Sequence, residues 1–117
     1  LYDCVMSYCS AGYDGGAGYF NASHGAVRNV RFTNNSAGRN GGGMVWLCLN
    51  TTMYNTTVIN NTAVAGNGGG IYLYPSVNSS ILNMWTIINS STFAYNTAGV
   101  DGGALYCGGL FSFIYNR

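Results

Sequence analysis

The feature that most constrains this chain is an internal repeat. Four segments fall into register on an alanine: residues 6–17 (MSYCSAGYDGGA), 32–43 (FTNNSAGRNGGG), 58–70 (VINNTAVAGNGGG) and 93–104 (FAYNTAGVDGGA). The alanines Ala11, Ala37, Ala63 and Ala98 stand 26, 26 and 35 residues apart, and the first glycines Gly15, Gly41, Gly68 and Gly102 stand 26, 27 and 34 apart. Insertions therefore fall between the motifs and spare them. A unit of about 26 residues cannot bury an apolar face alone, so successive units must stack.

Each unit reads as strand, turn, strand. β-Branched and aromatic residues alternate before the alanine (Val30, Phe32, Val58), and Met44-Val45-Trp46-Leu47, Ile71-Tyr72-Leu73-Tyr74 and Leu105-Tyr106-Cys107 follow the glycines. No segment keeps apolar spacing of three and four, so helix content should be near zero. Three residues past the first glycine come Gly18, Met44, Ile71 and Leu105, and five past it Phe20, Trp46, Leu73 and Cys107. Residues two apart share one face of a strand, so this face should point inward. Tyr19, Val45, Tyr72 and Tyr106 should point out. The prediction is a single all-β domain over 1–117, a parallel β-helix (β-solenoid) of about four to five coils anchored at the four alanines, with parallel strands about 4.8 Å apart. The competing all-β arrangement, an antiparallel sandwich, gives no reason for the same turn residues at one slot four times.

Composition removes several functions. Charged residues make up 6% of the chain, with four Lys+Arg and three Asp+Glu. Scattered arginines without lysine make no nucleic-acid face. The longest apolar run, Met44 to Leu49, is far short of the 18 residues that would suggest a membrane-spanning helix, so no direct membrane insertion is expected. With 48% apolar residues the chain should fold rather than remain disordered.

Phe-x-x-Asn-x-Ala followed by Gly-Gly-Ala resembles the repeat of the chlamydial polymorphic outer-membrane proteins, a right-handed parallel β-helix family. Phe93, Asn96, Ala98, Gly102, Gly103 and Ala104 fit it fully, and Phe32, Asn35, Ala37, Gly41 and Gly42 fit it with Gly43 in the last place. The third copy has Val58 for Phe and one extra residue, and the first has Met6 for Phe and Cys9 for Asn. The resemblance covers about half the chain. It implies right-handed coiling, surface display and adhesion; the membrane barrel of that family has no counterpart here.

Asn35, Asn61 and Asn96 share one slot, so stacking should set their amides in a hydrogen-bonded column. Asp14 and Asp101 share a slot with Asn40 and Asn67, each followed by glycine; this is turn chemistry rather than a glycosidase acid pair. His24 has no nucleophile frame. Arg28, Arg31 and Arg39 are near one another and either flank a sugar or are solvated surface. The outward tyrosines either stack on sugar rings or pack across strands. Pectin-degrading β-helix enzymes use clustered acids that this chain lacks, so no enzymatic activity, metal or cofactor is expected; a fragment of such an enzyme is the least favoured reading.

Asn-x-Ser/Thr occurs at Asn21, Asn34, Asn50, Asn55, Asn60, Asn78 and Asn89, and the cysteines Cys4, Cys9, Cys48 and Cys107 are even in number. Both suit an oxidising, extracellular or cell-surface location with N-linked glycans and disulfides, three pairings being open. Asn34 and Asn60 should face solvent in adjacent coils, close enough for two glycans to crowd. Neither terminus shows a polar cap. These features point to a structural subunit of a glycosylated extracellular fibre or surface appendage, built by head-to-tail stacking or tandem repetition of itself. The alternative is a surface adhesin or carbohydrate-recognition module.

Overall fold

The computed structural model describes residues 1–74, 85–108 and 114–116, of which 22–24, 48–49, 85–86 and 114–116 are described by their backbone alone. The chain winds through four coils, and each coil has three sides. The first side stacks β1 (Val5–Ser7), β4 (Arg31–Thr33), β7 (Thr57–Ile59) and β11 (Thr92–Ala94) in that order. The second stacks β2 (Ser10–Ala11), β5 (Ser36–Ala37), β8 (Thr62–Ala63) and β12 (Thr97–Ala98). On the third side, the eleven-residue strands β3 (Gly18–Arg28) and β6 (Met44–Tyr54) run side by side. Beyond β6 the same path is taken by β9 (Ile71–Tyr74) with β10 (Trp85–Asn89), then by β13 (Leu105–Cys107) with β14 (Ile114–Asn116). Every strand pairing is parallel, and no helix occurs among the described residues.

Like residues sit over like. Ala11 pairs with Ala37, Ala37 with Ala63, and Ala63 with Ala98. The inward columns follow the predicted spacing: Met6–Phe32–Val58–Phe93 on the first side, and Gly18–Met44–Ile71–Leu105 and Phe20–Trp46–Leu73–Cys107 on the third. Phe32, Val58, Ala37, Ala63 and Met44 have no exposed surface, whereas Met6, Ala11, Phe93, Ala98 and Leu105 in the first and fourth coils are half-buried. The two middle coils supply the dry core, because only they are covered on both sides.

The corners explain the polar residues. Each coil turns through three left-handed backbone positions, one column being Asp3, Asn29, Asn55 and Ser90, the second Tyr8, Asn34, Asn60 and Tyr95, the third Gly15, Gly41, Gly68 and Gly102. A left-handed L-residue costs about 1–2 kcal/mol unless it is Gly or, in part, Asn or Asp. Asparagine and glycine are abundant here because three sharp corners per coil select them. The one extra residue before Gly68 and the residues inserted between β9 and β10 leave the register of the following strands intact.

Candidate functional site

Three columns of polar side chains run along the solenoid. The innermost consists of Asn35, Asn61 and Asn96. Asn35 Nδ2 donates to Met6 O at 3.0 Å and to Asn61 Oδ1 at 2.9 Å, and Asn61 Nδ2 donates to Phe32 O at 2.9 Å and to Asn96 Oδ1 at 3.0 Å. The backbone amides of Cys9, Asn35 and Asn61 donate to the side-chain oxygen one coil further along, at 2.9–3.0 Å. Asn35 and Asn61 are 1% and 0% exposed, so a complete set of partners is what makes their burial tolerable. Cys9 occupies the same slot in the first coil, where its amide starts the column.

The second column is Asp14, Asn40, Asn67 and Asp101. Here the amide of each later coil donates to the Oδ1 of the coil before: Asn40 to Asp14 at 3.0 Å, Asn67 to Asn40 at 2.9 Å, Asp101 to Asn67 at 3.0 Å. Asp14 and Asp101 are thus turn residues three coils apart. Arg39 grips Asp14 with two bonds, Nε at 3.1 Å and NH2 at 2.6 Å, and its guanidinium lies 5.6 Å from the Tyr13 ring centroid. That two-pronged hydrogen bond holds the Asp14 carboxyl below its ordinary pKa despite partial burial. The third column lies outside: Asn29 Nδ2 bonds Asp3 Oδ1, and Asn55 Nδ2 bonds Asn29 Oδ1, both at 2.8 Å. The spacing of 26 residues between Asp3, Asn29 and Asn55 was its visible sequence signal, one that the alanine-anchored alignment passes over.

On the third side, the outward row Tyr19–Val45–Tyr72–Tyr106 is in register. Tyr72 and Tyr106 stack with centroids 5.1 Å apart and planes within 2°, and Tyr74 lies parallel to Tyr72 at 6.0 Å. Burial, with Tyr106, Tyr74 and Asp14 nearby, raises the Tyr72 pKa, so its hydroxyl stays protonated. Val45 points outward as expected yet is only 2% exposed. It floors a cleft of about 200 Å³ lined also by Asp14, Tyr19, Asn40, Leu47, Tyr72 and Tyr74. A second hollow, of about 240 Å³, lies between Tyr2, Arg28 and Tyr54 on the far end of the same side. The arginines divide: Arg28 lies 5.1 Å from the Tyr54 ring centroid, Arg31 is exposed at the start of β4, and Arg39 sits at the glycine corner with Asp14.

The sequons are spread over the corners and the third side. Asn34, Asn55 and Asn60 are left-handed corner residues with φ of 57°, 47° and 56°, and Asn89 immediately precedes the left-handed Ser90. At Asn34, Asn55 and Asn60 the left-handed backbone by itself favours asparagine. Asn21, Asn55 and Asn60 are exposed, whereas Asn34, expected at the surface, is half-buried, as are Asn50 and Asn89. Asn78 lies outside the described residues, and His24 lies in β3 with its backbone paired to Asn50. The expected disulfides are not seen: Cys4, Cys9 and Cys107 are free thiols. Cys107 is three coils from Cys4 and Cys9, about 14 Å along the stack, beyond the roughly 7 Å between Cα atoms that a disulfide spans. Cys48, in β6, is described by its backbone alone.

Comparison with curated proteins and with solved structures gave no match. A family model does match, in two places that coincide with whole sections of the third and fourth coils. This chain is a parallel β-solenoid similar, at residues 55–74 and 90–108, to the Chlamydia polymorphic membrane protein repeat.

Proposed function

We propose that this chain is a structural segment of a surface-displayed β-helix that lengthens by coil-on-coil stacking with further copies of itself. Surface display comes from the likeness to a membrane-protein repeat. The observation that carries the stacking is the glycine column Gly16, Gly42, Gly69 and Gly103. A Cβ on Gly16, Gly42 or Gly69 would drive into backbone atoms of the next coil, Gly42 O, Gly69 O and Gly103 O respectively. On Gly103 it would meet, among the described residues, the Asn96 carbonyl of its own coil, at 3.1 Å from the oxygen. Gly103 thus keeps the approach that elsewhere admits a neighbouring coil, above the half-buried Phe93, Ala98 and Leu105.

The test is Gly103→Ala on the purified protein. It should fold, because the added methyl meets Asn96 O at 3.1 Å, a contact relieved by a shift of a few tenths of an ångström, and should stay monomeric where the unaltered protein forms filaments in electron micrographs. Mixed in as a minor component, it should shorten those filaments by capping one end. Gly69→Ala, inside the stack, should instead disrupt folding. A protein that is monomeric at all accessible concentrations, or a Gly103→Ala variant that assembles normally, would overturn the proposal. N-linked glycans belong to the same reading at Asn21 and Asn60, the exposed acceptors whose amides are not spent in a column. Peptide-level glycan mapping checks them.

A further inference from the structure

The tyrosine row on the third side misses one ring. Tyr72 and Tyr106 stack at 5.1 Å, close to one coil spacing, so a tyrosine in every coil would give an unbroken pile. Val45 interrupts it. Tyr19 and Tyr72 consequently stand two coil spacings apart, about 9–10 Å, with the short Val45 between them as the floor. Leu47 and Tyr74 extend the apolar wall, and Asp14 and Asn40 form the polar edge.

We propose that this gap is a binding site for one neutral pyranose ring of a glycan, held against Tyr19 and Tyr72 in the cleft above Val45, with one hydroxyl donating to Asp14 and others exchanging hydrogen bonds with Asn40. The proposal goes beyond the stacking role and is independent of it.

Thickness selects the ligand. A flat aromatic ring between two tyrosines needs two contacts of about 3.5–4.0 Å, or roughly 7–8 Å in all, and would rattle here. A puckered saturated ring with axial hydrogens is thicker and presents C–H groups to an aromatic face, whose quadrupole is negative. The volume of about 200 Å³ is below the roughly 300–1,000 Å³ of drug-sized pockets, so one ring is the unit recognised.

Charge narrows the class. Asp14 is only 17% exposed at its side chain and already oriented by Arg39; Oδ1 accepts from Arg39 Nε and the Asn40 amide and Oδ2 from Arg39 NH2, so the remaining lone pair of Oδ2 accepts one hydroxyl donor without reorganisation. The same carboxylate repels uronates and sulfated sugars. Arg39 is committed to Asp14 and is more than half exposed, which leaves no unpaired cation facing the cleft among its lining residues.

The experiment is ligand-observed NMR titration of the purified protein with methyl glycosides of glucose, galactose, mannose and N-acetylglucosamine, with methyl glucuronide as the acidic comparison. At least one neutral sugar should bind with a Kd of about 1–10 mM, as a single-ring site allows, and the glucuronide should bind at least about tenfold more weakly. Val45→Tyr completes the pile and should abolish binding. Tyr19→Ala, at a residue 54% exposed and so safe for folding, should weaken it at least about tenfold. No binding by any neutral sugar, equal binding of the glucuronide, or unchanged affinity in Tyr19→Ala would overturn the proposal. Filament formation, read separately by electron microscopy, should be the same in Tyr19→Ala as in the unaltered protein, so a failure of the cleft and a failure of stacking are told apart.

Discussion

Asn61 Oδ1 accepts two hydrogen bonds from Asn35 in the coil before it, one from the backbone amide at 3.0 Å and one from the side-chain amide at 2.9 Å. One oxygen thereby satisfies two buried donors, while Asn61 Nδ2 caps Phe32 O and Asn96 Oδ1. This column is what lets a corner of the solenoid lie in the dry core.

Removing its centre should be costly. Asn61→Ala takes the partner from the Asn35 backbone amide, from one hydrogen of the Asn35 side-chain amide and from the Phe32 carbonyl, all buried, and each unsatisfied group costs about 1–3 kcal/mol. We expect a loss of about 3–5 kcal/mol in the free energy of urea unfolding. Asn96→Ala should cost clearly less, because Asn96 is half-buried and water can replace the lost partner. Equal effects at the two positions would contradict the column's role.

The corner column Tyr8, Asn34, Asn60 and Tyr95 offers a gain instead. Tyr95 holds φ at 54° while 84% exposed, so it suffers backbone strain with little burial in return. Tyr95→Asn, matching the neighbouring coils, should stabilise the protein by about 0.5–1 kcal/mol and raise its melting temperature. A fall in melting temperature would show that the Tyr95 ring makes a contribution larger than its strain.

Acid should weaken the corner at Asp14. Its carboxyl pKa is lowered in the folded state by the Arg39 hydrogen bonds, from an ordinary value of 3.8. The stabilisation is therefore present in full above that value and is lost as pH falls toward and through the lower folded value. Thermal unfolding followed from about pH 6 to about pH 2.5 should show a steeper decline in the unaltered protein than in Asp14→Asn, which keeps the acceptor for the Asn40 amide but has no charge to titrate. Because Arg39 is largely exposed, the difference should shrink in high salt.

Much of this architecture was legible in the spacing of a few small residues. Ala37 and Ala63 stand 26 apart in sequence and directly abreast in space, and Met44, Trp46, Ile71 and Leu73 turn inward as the two-residue period requires. The Asn35–Asn61–Asn96 column followed from the same alignment. The sequon pattern carries two readings. Asn34, Asn55 and Asn60 satisfy an acceptor motif, and their positive φ angles give the fold a second reason to favour asparagine there. The cysteine count says nothing of distance, and Cys107 lies three coils from Cys4 and Cys9.

The sequence by itself determined the coil length, the stacking and the inward face, because each rests on a period along the chain that local chemistry enforces. Only the tertiary structure decided what happens between coils: that Val45, outward by its parity, is sealed into a cleft by tyrosines two coils apart, and that Arg39 reaches back across one coil to fix Asp14. Such relationships depend on side-chain lengths compared across neighbouring coils, and a repeat read along the chain weighs residues of unequal size as equivalents.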